Sequence, residues 1–410
     1  MNRLPVDIQV VREAAARRLP RFVFDFIDGG AGDERALARN RRALDEITLT
    51  PRALVDVSQR SLGTTLFGAS ARMPVVVAPT GLNGLLWPDG DIALARAAAR
   101  AGVPFVVSTA SSNTLESIAE RAGGNLAFQL YVLDRELADH LVDRAERAGY
   151  RTLVLTVDTP VSGDRRRDRR NGLNLPLRVS PQLLAGTVLR PRWLAAQCRH
   201  GFPTLANLEQ VAGLQQESRA ALLSRRMDAS FGWDDFQRLR ERWQHSLIIK
   251  GVLNPEDARK LESLGADGVM VSNHGGRQLD CAPASISALA SILARCTLPA
   301  YVDGGFRSGD DIAKGLAVGA TAVQIGRPLL YGLAAGGEEG AWQVLELLRA
   351  DLDRTLALLG CTDIQGLARH GRAPHPESGP APMPDPAQRS RAHTPGRPVV
   401  DRLPLASSHS

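Results

Sequence analysis

The feature that most constrains the fold is a repeat of short apolar runs separated by helical stretches. The runs cover residues 74–78, 104–108, 126–130, 152–157, 246–250, 268–271, 298–302 and 322–325. Each is too short for a helix and carries few charges, as a strand buried on both faces requires. Helical patterns over residues 91–101, 114–121, 135–148, 255–264, 286–294 and 310–317 alternate with them. Gly102, Gly149 and Gly265 stand where three of these helices need C-terminal caps. Such alternation implies parallel βαβ units. Eight of them predict an α/β fold, a closed (β/α)8 TIM barrel rather than a doubly wound sheet.

Three segments fall outside the repeat. Residues 6–45 read as helix in pieces, broken at Pro20 and stopped at Gly29-Gly30, and predict a cap across one end of the barrel. Between the fourth and fifth runs lies an excursion, about residues 165–235, too long for one crossover. It mixes Leu183, Leu184, Val188, Leu189 and Trp193 with Arg190, Arg192 and Arg199. That mixture allows a peripheral contact with a membrane or partner, but its helical period is poor, and the residues alone favour a lid. After the eighth run, residues 338–359 repeat leucine at three-or-four spacing and predict an amphipathic helix. From residue 371 onward nine of the 25 prolines are concentrated. The domain is therefore expected to span 1–370, and 371–410 to be a disordered tail.

In a barrel of this kind the C-terminal ends of the strands form one face, and that face carries chemistry. Read in order, the strand ends are polar: Pro79-Thr80-Gly81, Ser108-Thr109, Gln129 with Tyr131, Thr156 with Asp158, Lys250, Ser272 with His274 and Arg277, Asp303-Gly304-Gly305 with Arg307, and Gly326-Arg327. The last two sets predict a phosphate site, because backbone N–H groups at paired glycines and two guanidinium forks suit phosphate oxygens. Asp303 suits a sugar hydroxyl. Ser108, Gln129, Thr156 and Lys250 suit the polar edge of a planar ring, and a buried lysine would stabilise that ring as an anion. Together they point to flavin mononucleotide, FMN. No glycine fingerprint of a Rossmann fold follows a first strand.

The sixth strand runs into Ser272-Asn273-His274-Gly275-Gly276-Arg277-Gln278-Leu279-Asp280. Alone, this is as readily a solvated turn as a site. On the catalytic rim, His274 is a candidate base, Asp158 a candidate partner for the imidazole, and Arg277 a carboxylate anchor.

Composition removes other classes. Aromatic residues are only 5% of the chain, too few for a stacking platform on single-stranded nucleic acid. The charge of +6 includes an arginine cluster at residues 164–170, without any nucleic-acid reader motif. Cys198, Cys281, Cys296 and Cys361 are dispersed, so neither a disulfide framework nor a metal site is expected. No signal peptide and no membrane-spanning run is apparent, and the expected location is cytoplasmic.

The strand-end residues resemble the FMN-dependent α-hydroxy acid oxidase and dehydrogenase family over about residues 5–370. The stretch from Ser272 to Asp280 is its most specific motif. Residues 78–88, 108–111, 227–231 and 279–281 look most like the members that take (S)-mandelate. The resemblance implies oxidation of an (S)-2-hydroxy acid to the 2-keto acid, with electrons passed to a quinone-type acceptor. Oxidases and lactate dehydrogenases of the same family are the alternatives. It further implies a homo-oligomer, a tetramer in the family, and an excursion that touches the membrane. Carried over by motif, His274 is the base, Asp158 its partner, and Arg277 with Arg165 the carboxylate clamp. Tyr131 lies near the substrate hydroxyl. Two positions depart: Phe26 stands where a carboxylate-binding tyrosine is usual, and Ser308 where a second arginine follows Arg307. Ala110, in place of a bulkier residue of glycolate oxidases, leaves room for an aromatic side chain. A flavin barrel without turnover and a phosphosugar isomerase-like barrel remain alternative classes.

Overall fold

The computed structural model describes residues 5–172, 187–209 and 227–369. The chain divides into two units, Met1–Ala373 and Pro374–Ser410. The tail expected to be disordered lies outside the described residues, as do the leucines of the excursion at 183 and 184.

Eight parallel strands close into the expected barrel: Val75–Val77, Phe105–Ser108, Leu126–Leu130, Thr152–Thr156, Ser246–Val252, Gly268–Val271, Ala300–Val302 and Ala322–Ile325. The eighth pairs with both the seventh and the first. Each strand sends an apolar residue into the barrel interior. Val76, Val106, Ala127, Val154, Ile248, Met270, Tyr301 and Ala322 form a dry layer in which every member is buried. Because side chains alternate along a strand, the residues two positions on point inward again. Those are Ala78, Ser108, Gln129, Thr156, Lys250, Ser272, Asp303 and Gln324. All but the first are polar. The sequence thus switches from apolar to polar one layer below the catalytic face, on seven strands at once.

Strand five is longer than expected. It continues through Gly251 to Val252, with a register shift against strand six between Lys250 and Val252. Gly251 has φ 101°, and a Cβ there would stand 2.6 Å from the Cβ of Asp158. Only glycine lets the Asp158 backbone and side chain pass so close.

The N-terminal segment forms three helices, Ile8–Arg18, Arg21–Asp28 and Arg35–Asp45. The second lies over the catalytic face, where its carbonyls at Phe26 and Ile27 receive Arg277 and Arg327. A hairpin, Thr64–Leu66 with Ala69–Ala71, was not anticipated. Leu66 and Ala71 pack into the dry layer and close the opposite mouth of the barrel.

The described part of the excursion is docked on the barrel. Pro191–His200 is helical, and buried Trp193 donates its Nε1–H to Leu85 O at 2.7 Å. Buried Asn207 bonds Leu115 N, Ser108 O and the Ser111 hydroxyl. A helix at Trp233–Arg242 then leads into strand five. The last helix runs from Arg327 to Leu359, starting 11 residues before the expected 338. The expected start lies just past its kink at Gly336 and Gly337, where the sequence period is interrupted.

Candidate active site

Strand ends and the loops after them enclose a cavity of about 1100 Å³, a size suited to a cofactor with a small substrate. Its floor is the polar layer. Ser108 donates to Gln129 Oε1 at 3.2 Å, and Gln129 Nε2 donates to Thr156 Oγ1 at 3.0 Å. On the other side Lys250 Nζ donates to Ser272 Oγ, and Ser272 donates to Asp303 Oδ2, both at 2.8 Å. Lys250 is also 3.1 Å from Asp303. Burial by itself would lower the lysine; Asp303 and Asp158 overcome it and raise Lys250 above its ordinary value, so it stays a cation.

Two of the residues expected to touch a cofactor do not line the cavity. Gln129 and Ser272 stand one step behind it, bridging neighbours that do. Gln129 bonds Ser108 and Thr156, and Ser272 bonds Lys250 and Asp303.

The loop after strand six is left-handed over three residues: His274 at φ 58°, Gly275 at 62° and Gly276 at 75°. A non-glycine residue in that region is held by its surroundings. The His274 amide donates to Ser272 Oγ at 3.0 Å. Its Nδ1 lies 3.0 and 3.2 Å from the two oxygens of Asp158. Since a carboxylate only accepts, Nδ1 carries the proton and Nε2 is left as the basic nitrogen. Tyr131 OH is 3.2 Å from Nε2 and donates to it. Burial lowers the imidazole below its ordinary value, with Asp158 opposing in part. The resting group is therefore neutral and ready to accept. Burial also pushes the Tyr131 phenol up, with Asp158 adding to it, so the phenol stays protonated.

Positive charge crowds the same cavity. Burial, with Arg165 and Arg327 close by, lowers Arg277 well below the guanidinium range. A guanidinium does not lose its proton, so the cost is relieved by an anion. Arg277 Nη1 is fixed by Phe26 O at 2.8 Å and Gly29 O at 2.9 Å. Arg165 Nε is buried and has no hydrogen-bond partner. One carboxylate already present is Asp168, whose value burial pushes up to about 6 against the pull of Arg277 and Arg165. The Phe26 ring lies 5.3 Å from the Arg277 guanidinium and offers no hydroxyl.

The expected phosphate loops meet at the seventh and eighth strands. Gly304 and Gly305 have φ 93° and 95°. Arg307 lines the cavity, and burial lowers it to about 10. Arg327 is more committed than expected. Its Nε, Nη1 and Nη2 donate to Ile27 O, Gly275 O and Gly29 O at 3.1, 2.9 and 2.8 Å. Ser308 caps the next helix, its Oγ accepting from Asp311 N at 3.1 Å. That cap explains a serine at this position; an arginine would forfeit about 1 kcal/mol of helix stability.

At the ends of the first and eighth strands, Pro79, Thr80 and Gly81, expected to touch the cofactor, form one wall of the cavity and Gly326 another. A Cβ on Gly81 would stand 2.8 Å from that of Ala110. Leu205 and Met227, from the excursion, also line the cavity and were not anticipated. The donor set fits FMN: a buried lysine, paired glycines, an arginine, and an Asp303 Oδ1 that is buried without a partner. Among the described residues no cluster suits a metal ion.

Residues 15–372 match the model of the family described as FMN-dependent dehydrogenase. The chain is 49% identical over 362 residues to (S)-mandelate dehydrogenase of Pseudomonas putida, covering 88% of this chain and 92% of that protein. It is 44% identical over 364 residues to L-lactate dehydrogenase of Caulobacter vibrioides, covering 87% and 94%. A crystal structure of (S)-mandelate dehydrogenase, described as a monotopic membrane protein, superposes with a TM-score of 0.87 at 47% identity, covering 91% of this chain and 100% of that one.

Proposed function

The chain belongs to the FMN-dependent dehydrogenase family and oxidises (S)-2-hydroxy acids with FMN as cofactor, and we propose that its acid is an aromatic one of the (S)-mandelate type. The observation that carries this reading is the pairing of an unprotonated His274 Nε2 with an unpartnered Arg165 Nε in one cavity. An acid held at one is offered to the other.

Arg165 and Arg277 receive the carboxylate, Arg277 already oriented by Phe26 O and Gly29 O. Tyr131 OH orients the hydroxyl at carbon 2. His274 Nε2 takes the proton, and Asp158 stabilises the imidazolium that results. FMN, when bound, would take up the two electrons together with the second proton that the oxidation releases. Lys250, a fixed cation in the cavity floor, would favour the reduced, anionic form of a flavin held there. Gly304, Gly305, Arg307 and Gly326 hold the phosphate, with Arg327 bracing the loop that carries His274. The small side chain of Ala110, which lines the cavity, leaves room there for an aromatic side chain.

Electrons leave to a quinone-type acceptor, and the excursion is the peripheral contact with the membrane. In support, Val188 is 69% exposed, Leu189 76% and Phe202 47%, beside Arg190, Arg192 and Arg199. No helix among the described residues is long and apolar enough to cross a membrane.

The test is anaerobic mixing of the purified flavoprotein with (S)-mandelate, (S)-lactate and glycolate while flavin absorbance is followed. Bleaching is expected fastest with (S)-mandelate; faster bleaching by lactate or glycolate overturns the substrate assignment. Hydrogen peroxide production under air would move the chain to the oxidase alternative.

A further inference from the structure

Strand eight contributes a polar residue to the cavity that the catalytic scheme leaves unused. Gln324 is 2% exposed and lies between Val323 and Ile325, both buried in the core. It is the eighth member of the polar layer, two positions after Ala322 of the dry layer, and its side chain lines the cavity. Its Oε1 is buried and has no hydrogen-bond partner. Its Nε2 meets only the thioether of Met270, at 3.3 Å, a weak acceptor. Turning the amide over exchanges the two atoms and leaves the nitrogen without a strong partner instead.

A buried amide in an otherwise apolar strand is a cost unless something bonds it. The ladder register places Val323 beside Val302, so Gln324 is the next rung and stands beside Asp303. The Oδ1 of Asp303 is the other acceptor of this floor without a partner. Two acceptors side by side call for a ligand that donates twice. The position narrows the ligand further. The Gly304–Gly305 and Gly326–Arg327 loops follow the two residues closely in the chain, Asp303 stands 3.1 Å from Lys250, and the strands that lead to Tyr131 and Arg165 lie across the barrel from theirs. A polyhydroxyl chain joining a phosphate to a ring would run here.

We propose that Gln324 is a cofactor-positioning residue whose amide accepts a hydrogen bond from a hydroxyl of the FMN ribityl chain, beside the Asp303 carboxylate. It thereby adds to the selection of FMN over flavins without that chain, and takes no part in proton transfer.

The test compares apoprotein of the wild type and of Gln324→Leu, titrated with FMN and with an analogue carrying a hydroxyl-free pentyl phosphate chain, by quenching of flavin fluorescence. Gln324→Leu is expected to weaken FMN about tenfold and leave the analogue within twofold, so that discrimination between the two shrinks. Undiminished discrimination, with FMN bound as tightly as before, overturns the proposal and assigns the amide to a buried water. Equal weakening of both flavins also overturns it, since that reports a distorted barrel. Gln324→Met, close to glutamine in volume, gives the same reading where the leucine variant does not fold.

Discussion

Nδ1 of His274 lies 3.0 Å from Oδ1 of Asp158, a residue 116 positions earlier in the chain. The bond fixes which nitrogen is basic, and in the proposed mechanism it stabilises the charge that proton transfer creates. Asp158→Asn keeps the shape and removes the charge. Burial already holds the imidazole low, and Asp158 raises it in opposition. Losing that carboxylate therefore moves the acid limb of flavin reduction to lower pH. The plateau rate should fall by about 10²–10⁴ while FMN stays bound. Stopped-flow reduction across the pH range checks both; an unchanged plateau would remove Asp158 from the mechanism.

Asp158 reaches His274 because Gly251 makes room. Gly251→Ala adds a Cβ within 2.6 Å of the Asp158 Cβ, at φ 101°. Left-handed strain alone costs about 1–3 kcal/mol. The expected result is a lower melting temperature together with slowed flavin reduction, because the carboxylate is pushed from the imidazole. Lowered stability with full activity would show that the bulge serves the sheet and not the site.

The barrel was legible because a strand buried on both faces must be apolar, and eight such runs leave little choice. The strand-end residues followed from the fold rule. What escaped notice did so for local reasons. Three-residue strands at Thr64–Leu66 and Ala69–Ala71 contain no apolar run. Gln324 sits inside an apolar run, between Val323 and Ile325, and the run's strand pattern does not single it out; counting two positions on from Ala322 does. Asp168 was hidden within the arginine cluster, where only burial distinguishes it from a solvated acid. Arg327 was read as a phosphate fork, yet three of its nitrogens hold backbone carbonyls.

Phe26 bears on substrate affinity. Its carbonyl holds Arg277, and its ring faces the guanidinium without a donor for the substrate. Phe26→Tyr adds a hydroxyl to the carboxylate end of the cavity. A hydrogen bond to a charged group contributes about 1.5–3 kcal/mol, so KM should fall by about tenfold or more. Since the carboxylate is held throughout the reaction, kcat should change little. Steady-state kinetics separate the two. An unaltered KM means that position 26 does not meet the substrate.

In the proposed reading, Ala110 sets the preference between aromatic and small acids. It faces Gly81 so closely that a Cβ there would clash at 2.8 Å, and its amide is tied to Ser108 Oγ at 3.1 Å. The two positions are packed against each other, so the space for a substrate ring lies on the cavity side of Ala110. Ala110→Trp fills it. A buried aromatic side chain contributes about 2–3 kcal/mol through its apolar area, and the same sum appears in kcat/KM when the ring is excluded. The preference for (S)-mandelate over (S)-lactate should fall by about 100-fold. Turnover of lactate should persist, because His274, Asp158 and both arginines stand on other strands. If mandelate and lactate lose activity in parallel, the tryptophan has disturbed the flavin face, and the side-chain pocket lies elsewhere, toward Leu205 and Met227.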